Sequence, residues 1–361
     1  MPKVKQIQSY IKEKELTSFF FSSFSNVFYL SYFSSSNAYV LLTPEIKYFI
    51  TDSRYYHGAK EKLKDWDVIL LGEKNKNQIQ HLKEILLELG GKKIGFEKDK
   101  ITISFYEKLT EGTSLKERFV GFENFLKPFR MTKTEEEINI IREAVEKTDN
   151  IFKKLLDYIP NAKNELDIRR MIINYIFEEG GTGESFPAIV ASGKHSAIPH
   201  YETSNFPIEN NSLLLIDMGM KFKGYCSDFT RTIFIGNVDK ELIKIYNIVK
   251  EAHLEAVSVV KAGVTAKEID LAARKVIEKY GYGDYFIHST GHGVGIDIHE
   301  APRISFQSDE IIEENTVFTI EPGIYIPEKG GVRLENIVVA KKGGVDVLTK
   351  TPLEPVKIEL E

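Results

Sequence analysis

Four acidic residues of this chain stand where an acid is unfavourable. Asp217 ends the apolar run Leu213-Leu-Leu-Ile-Asp217, and Asp228 lies beyond a turn at residues 221–224 in Tyr225-Cys-Ser-Asp228-Phe-Thr-Arg231. Glu321 ends a second such run, Val317-Phe-Thr-Ile-Glu321, and Glu335 follows the next turn in Gly331-Val-Arg333-Leu-Glu335. A carboxylate inside so apolar a strand must be paired or coordinated. Opposed strands bring facing Cβ atoms to about 5 Å, so each hairpin can bring its two acids into one site. Four converging carboxylates repel one another, and divalent cations relieve that repulsion. The plain alternative is two independent hairpins with acids on their rims.

Histidine usage favours convergence. Four of the eight histidines fall in two short segments: His200 in Ser196-Ala-Ile-Pro-His200, and His288, His292 and His299 in His288-Ser-Thr-Gly-His292-Gly-Val-Gly-Ile-Asp-Ile-His299. Glycines at 291, 293 and 295 let the backbone approach a metal or substrate closely. Oxygen ligands with a single imidazole suit Mn²⁺ or a similarly hard ion better than zinc in a thiolate cage.

The elements that position these residues follow from periodicity and punctuation. Residues 18–24, 27–33, 38–42 and 48–51 are rich in aromatic and β-branched side chains and read as strands, as do 68–71 and 93–96. A helix over 77–89 lies between the last two, so the first third reads as an α/β layer. A boundary at Lys127-Pro128 precedes a long helix whose capping box is expected at Thr132-Lys-Thr-Glu135. Asn164 can cap a second helix that ends at Gly180-Gly181, and strand-like segments follow, among them 212–219 and 225–236. The same order then returns: a helix from Asp239 to about residue 260, another from Thr265-Ala-Lys-Glu268 to Gly281, then strands including 316–320 and 333–340. Helix–helix–strands occurs twice, which implies one C-terminal domain built from two similar halves.

On these residues the chain resembles the aminopeptidase P and prolidase (Xaa-Pro dipeptidase) group of metallopeptidases with the pita-bread fold, over essentially its whole length. The resemblance implies a creatinase-type α/β N-terminal domain over residues 1–128. An α+β pita-bread catalytic domain of two similar halves would fill residues 129–361. All five metal-ligand positions of the family match, as Asp217, Asp228, His292, Glu321 and Glu335. Two divalent ions are implied, Mn²⁺ first, with Co²⁺ or Zn²⁺ as alternatives. Asp217 would chelate one ion, Asp228 and Glu335 would bridge both, and His292 and Glu321 would complete the other. A hydroxide held between the ions would attack the scissile carbonyl, and Glu321 would shuttle its proton to the leaving nitrogen. His200 and His299 fall where the family places imidazoles that stabilise the tetrahedral intermediate. His288 reads as a pocket residue or as a satisfied core histidine. Arg333 reads first as a structural ion pair that orients carboxylates, and second as a substrate contact.

The implied reaction removes Xaa from the N-terminus of peptides with proline in second position. Proline lacks an amide N–H and has a fixed φ, so ordinary peptide sites fit it poorly; Phe186, Tyr201 and Tyr325 could form the apolar slot for its ring. Arg303, in His299-Glu-Ala-Pro-Arg303, stands where prolidase-like members hold a dipeptide's free carboxylate. The alternative reading is therefore a dipeptidase restricted to Xaa-Pro, and a weaker one an inactive peptide-binding module of the same fold. The family further implies a homodimer.

Other function classes find little support. Charged residues make up 28% of the chain with a net charge of only −5, so neither nucleic acid nor an anionic membrane is an expected partner. Residues 16–44 carry no charge, yet their many serines and asparagines argue for short strands and turns rather than a membrane span. The single cysteine, Cys226, reads as a buried filler and fits a reducing, cytoplasmic setting, and residues 1–15 lack the apolar core of a signal peptide. Ser192-Gly-Lys194-His195 lacks the Ser/Thr and the upstream glycine of a phosphate loop, and Gly291-x-Gly293-x-Gly295 lacks the last glycine of a dinucleotide fingerprint. His57, His81 and His253 read as surface residues, and His195 takes no role.

Overall fold

The computed structural model describes residues 3–73 and 76–360 and divides into two compact units, Met1–Phe129 and Arg130–Glu361. Among the described residues no helix is long and apolar enough to cross a membrane.

The first unit is built on a mixed six-stranded sheet. Its strands are β1 (Ser18–Phe21), β2 (Ala38–Leu42), β3 (Lys47–Thr51), β4 (Asp67–Leu70), β5 (Ile94–Glu97) and β6 (Phe119–Phe122), in the order β4-β3-β2-β1-β5-β6. Of residues 27–33, expected as a strand, 27–31 instead belong to helix α2; this unit's longer helices are α1 (Val4–Glu13), α2 (Phe24–Ser31), α3 (Ser53–Lys62), α4 (Gln78–Leu89) and α5 (Ile103–Thr110). The reason is a distant residue. Buried Glu97 accepts the backbone N–H groups of Ser22 at 2.8 Å and Ser23 at 3.0 Å, and also bonds the Asn26 amide. A carboxylate at a helix start satisfies free N–H groups and favours the dipole, and this one is more than seventy positions away.

The second unit repeats one plan. After the short helices α6 (Leu115–Arg118) and α7 (Lys127–Met131), α8 (Glu135–Tyr158) and α9 (Glu165–Glu178) open the first half, and α10 (Lys240–Val259) and α11 (Ala266–Lys279) the second. The box that starts α8 is Thr134 with Glu137, two residues later than expected. Thr132 has the same spacing to an acid, but it is held extended by a bridge to Thr316, and Lys133 N–H donates to Asn315 O at 2.9 Å. Asn164, Asp239 and Thr265 cap their helices as the sequence predicts.

The first half carries β7 (Gly183–Glu184), β8 (Ile189–Ser192), β9 (Ser212–Met218), β10 (Met220–Phe222), β11 (Tyr225–Cys226) and β12 (Phe229–Ile235). The second carries β13 (Gly291–Gly293), β14 (Glu300–Ile304), β15 (Val317–Ile320), β16 (Gly323–Ile326), β17 (Gly330–Arg333), β18 (Asn336–Lys341) and β19 (Gly344–Val347), and β20 (Lys357–Ile358) returns to the first sheet. The main sheets run β20-β12-β9-β8 and β14-β13-β15-β18-β19. Each helix pair covers a sheet: Ile168, Ile172 and Ile176 of α9 pack with Leu214, Ile216 and Ile233, while Ile269, Ala273 and Ile277 of α11 pack with Phe318, Ile320 and Val338. His253 of α10 lies inside this second core at 1% exposure, not on the surface. Residues 225–236 and 333–340, expected as single strands, are each interrupted. β9 and β12 pair in one sheet while their tips, β10 and β11, pair in another; β15 and β18 likewise give way to the separate ribbon β16–β17.

Candidate metal centre and active-site cavity

Three of the four acids, Asp228, Glu321 and Glu335, sit at the interruptions, while Asp217 lies within β9. Asp217 faces Thr230 across the β9–β12 ladder, and Asp228 occupies the unpaired step just before β12. The two aspartates are therefore not directly opposed, as simple hairpin pairing would have it. In the second half Ile320 pairs with Asn336 and Gly323 with Arg333, which leaves Glu321 and Glu335 in the gap between the two ladders. Opening a ladder frees Asp228, Glu321 and Glu335 from cross-strand neighbours and lets their side chains turn toward a common point. His292 reaches that point from β13, which runs between β14 and β15. Its flanking glycines are required there: a Cβ on Gly291 would lie 1.9 Å from Thr319 O, and one on Gly293 2.1 Å from Ala301 O.

Ligand atoms of Asp228, His292 and Glu335 come within 4.8 Å of one another. His292 Nε2 lies 3.5 Å from Asp228 Oδ2 and 3.2 Å from Glu321 Oε1. His292 Nδ1 is 3.1 Å from the Gly293 carbonyl; because a carbonyl only accepts, Nδ1 carries a proton, and Nε2 is the nitrogen that faces the carboxylates, donating to Glu321 when the ring is charged and able to give its lone pair to a cation. Asp217 pairs with the buried Arg333, whose Nη2 donates to its Oδ2 at 2.5 Å.

Two buried threonines brace the set. Thr230 Oγ1 donates to Glu335 Oε2 at 2.7 Å. Thr319 Oγ1 donates to Glu321 Oε1 at 3.0 Å and accepts the His292 N–H at 3.0 Å. Neither was singled out from the sequence. The signal was there, since Thr230 is two residues from Asp228, and Thr319 two from Glu321, and a strand puts i and i+2 on one face.

The electrostatics call for a cation. Burial, and then the neighbouring carboxylates, push Asp228 and Glu335 well above the usual carboxylate range. Burial also raises Asp217, although Arg333 opposes it. Glu321 goes the other way: burial would raise it, but the His292 hydrogen bond and charge hold it low. Asp217 Oδ1 and Glu335 Oε1 are buried without a hydrogen-bond partner among the described residues. Orphaned oxygens of this kind are unfavourable unless something absent from the chain binds them. Hard oxygen donors with one imidazole suit a divalent ion such as Mn²⁺.

These groups form the floor of a cavity of about 920 Å³. His200 and His299 line it and are exposed, and the His299 ring packs edge-on against His292 with centroids 4.2 Å apart. His288 lines it too. Its Nδ1 faces the Ser289 carbonyl at 2.8 Å, so its Nε2 accepts from Tyr325 Oη at 2.9 Å, and that oxygen in turn accepts from Arg333 Nη1 at 2.9 Å. A continuous chain of bonds thus runs from Asp217 through Arg333 and Tyr325 to His288. Tyr325, expected against substrate, is instead 3% exposed and stands behind the wall it braces. Phe186 and Tyr201 do line the cavity, and so does Arg169, which the sequence reading passed over. Arg303 lies on the wall with Nε donating to Ser289 Oγ at 2.8 Å. Cys226 is buried, its thiol donating to Ile296 O. Of the histidines given no role, His57 is exposed, half-buried His81 accepts from Gly72 N–H, and His195 stacks on Tyr201 beside Glu165.

Comparison with known proteins agrees with this architecture. Residues 139–342 match metallopeptidase family M24, and residues 3–132 match the creatinase/prolidase N-terminal domain. The Xaa-Pro dipeptidase of Pyrococcus horikoshii is 36% identical over 353 residues, covering 98% of this chain and 98% of that protein. Among solved structures, the Xaa-Pro dipeptidase from Bacillus anthracis superposes with a TM-score of 0.93 at 35% identity, covering 99% of both chains. The X-Pro aminopeptidase from Thermotoga maritima superposes with a TM-score of 0.89 at 34% identity, covering 98% of this chain and 100% of its own. The chain belongs to metallopeptidase family M24 and is a metallo-exopeptidase, with a creatinase-type N-terminal domain ahead of a pita-bread catalytic domain.

Proposed function

We propose that this enzyme hydrolyses Xaa-Pro bonds, with Xaa-Pro dipeptides as preferred substrates and two Mn²⁺ ions as cofactor. The observation that carries the reading is a largely buried set of four carboxylates and one imidazole, two of its oxygens without a partner among the described residues, at the floor of a cavity with Arg303 on its wall. Asp217 would hold one ion, Asp228 and Glu335 both, and His292 and Glu321 the other. When bound, the ions would supply the Lewis acidity that activates water and polarises the scissile carbonyl. Glu321, kept ionised by His292, accepts the proton of the attacking water and delivers it to the proline nitrogen as the C–N bond breaks. His200 and His299 donate to the oxygen that gains charge in the tetrahedral intermediate. Arg333 aims Asp217 and opposes the rise that burial imposes on its carboxyl.

The sequence favoured longer peptides; two features reverse that order. Relatives that align over nearly the whole chain are named Xaa-Pro dipeptidases. Arg303 has no ion-pair partner among the described residues, so its guanidinium can take the free carboxylate of a C-terminal proline. Aminopeptidase action on longer peptides is the second reading, favoured by the likeness to the Thermotoga maritima enzyme. A cytoplasmic homodimer completes the picture, the one buried thiol suiting a reducing compartment. Turnover of Ala-Pro and of Xaa-Pro-Pro-Xaa peptides is compared with Mn²⁺ and after chelation. We expect metal-dependent cleavage, faster on the dipeptide, with Arg303→Ala raising its KM. Full activity in a metal-free sample defeats the mechanism, and equal turnover of Ala-Ala defeats proline selectivity.

A further inference from the structure

Helix α11 carries a carboxylate that the chemistry above leaves unused. Asp270 is fully buried, and its Oδ1 accepts the Thr290 N–H at 3.0 Å and the Thr290 hydroxyl at 2.9 Å. Arg274, one turn on, grips both its oxygens, Nε to Oδ2 at 2.8 Å and Nη2 to Oδ1 at 3.1 Å. The same guanidinium donates to the carbonyls of Phe286 and His288, each at 3.0 Å, and lies over the Phe286 ring. Thr290 then passes the connection inward, because its carbonyl accepts the Glu321 N–H at 2.8 Å.

Residues 286–290 belong to no helix or strand, so no ladder fixes their height. What holds them is a planar five-donor fork and an acceptor with two oxygens, both mounted on a rigid helix. The first half has a counterpart. Glu165 of α9, also fully buried, accepts from Ser192 N–H at 2.9 Å and Ser204 N–H at 3.1 Å, at the two ends of the loop that carries His200. In each half, a buried acid on the second helix anchors the segment bearing a cavity histidine.

We propose that Asp270 and Arg274 are positioning residues: they set residues 286–290 so that His288 meets Tyr325 and Glu321 meets the metal centre. The inference rests on the assignment of Glu321 as a ligand. A pair that merely stabilised the core would lower stability and leave metal affinity alone.

The test titrates Mn²⁺ into the metal-free full-length protein, following the free-ion paramagnetic resonance signal, and records Tm without metal. Glu97→Gln is the control, a buried carboxylate of the other unit that also accepts backbone N–H groups. Asp270→Asn is expected to weaken Mn²⁺ binding by about 10- to 100-fold, the range for partners that orient a ligand. Arg274→Lys, which keeps the charge but loses the fork, is expected to fall between it and wild type, and serves as the second variant should Asp270→Asn fail to fold. Glu97→Gln should lower Tm with its Mn²⁺ affinity unchanged. Folded Asp270→Asn or Arg274→Lys protein with wild-type affinity overturns the inference. Failure of the wild-type protein to take up Mn²⁺ overturns the metal assignment itself, and this inference with it.

Discussion

Replacing Arg333 by methionine gives the sharpest test of how the centre is balanced. The guanidinium reaches Asp217 Oδ2 at 2.5 Å, Tyr325 Oη at 2.9 Å and Thr230 Oγ1 at 3.3 Å, all within the protein interior. Breaking a buried ion pair from one side typically loses about 3–5 kcal/mol, because the surviving charge is left without compensation. In the metal-free protein Asp217 would be that charge, next to Glu321. With Mn²⁺ bound, the ion compensates Asp217, and the loss reduces to two hydrogen bonds at about 1 kcal/mol each. The substitution is therefore expected to remove about 3–5 kcal/mol without metal and about 2 kcal/mol with it.

At about 2–4 °C per kcal/mol for a domain of this size, the metal-free midpoint falls by about 6–20 °C and the loaded one by about 4–8 °C. The pH trend follows from Asp217, whose carboxyl is raised by burial even beside Arg333. A group with a raised folded pKa is favourable to folding when protonated, and that contribution disappears as pH rises through the folded value. The metal-free variant should accordingly lose more at pH 8 than at pH 5. Urea unfolding followed by circular dichroism, with chelator and with saturating Mn²⁺, measures both terms; fluorescence does not serve, since the single tryptophan, Trp66, lies in the other unit. Equal losses in the two conditions, or a metal-free loss below about 1 kcal/mol, refute the compensation.

Further outcomes are expected elsewhere in the second unit. His253 is buried with no well-formed hydrogen bond at either ring nitrogen among the described residues, and burial, then Arg231, holds it down to about 3. Because the unfolded chain takes up the proton near pH 6.5 and the folded one does not, stability falls as pH drops from about 6.5 toward 3, by up to about 1.4 kcal/mol per unit. His253→Leu should flatten that part of the urea-midpoint profile, and an unchanged slope would discount the histidine. Thr230→Val strips Glu335 of its one hydroxyl donor, so kcat/KM for Ala-Pro is expected to drop about 10- to 100-fold, from the 1.5–3 kcal/mol of a bond to a charged group. Gly291→Ala places a methyl 1.9 Å from Thr319 O and should abolish Mn²⁺ binding, whereas Gly343→Ala meets nothing within 4 Å and should be silent in the same titration.

How much of this was legible in the sequence depends on how local each interaction is. The capped helices and the duplicated order could be read because caps, periods and turn glycines act over a few residues: Asn164, Asp239 and Thr265 bond their own helix starts. The five charged positions stood out because an acid at the end of an apolar strand, or a histidine between glycines, is anomalous on local grounds alone. Where two local solutions competed, the sequence could not choose. Thr132 and Thr134 are both followed three residues later by glutamate, and a bridge from Thr132 to Thr316, distant in the chain, decided between them. Residues 27–33 carry strand-type side chains, yet Glu97 organises the turn that makes 27–31 helical.

The site shows the same division. That Asp217, Asp228, His292, Glu321 and Glu335 are the candidates for the chemistry was determined by the sequence. The tertiary structure alone decided that Asp228, Glu321 and Glu335 lie at breaks between ladders, that Arg333 bonds Asp217 while Tyr325 bonds His288 from behind the wall, and that two buried carboxylate oxygens have no hydrogen-bond partner among the described residues. The physical reason is range. Propensity and burial preference belong to a residue and its neighbours, whereas the orientation of a buried carboxylate is set by partners a hundred positions away, as Thr230 is from Glu335.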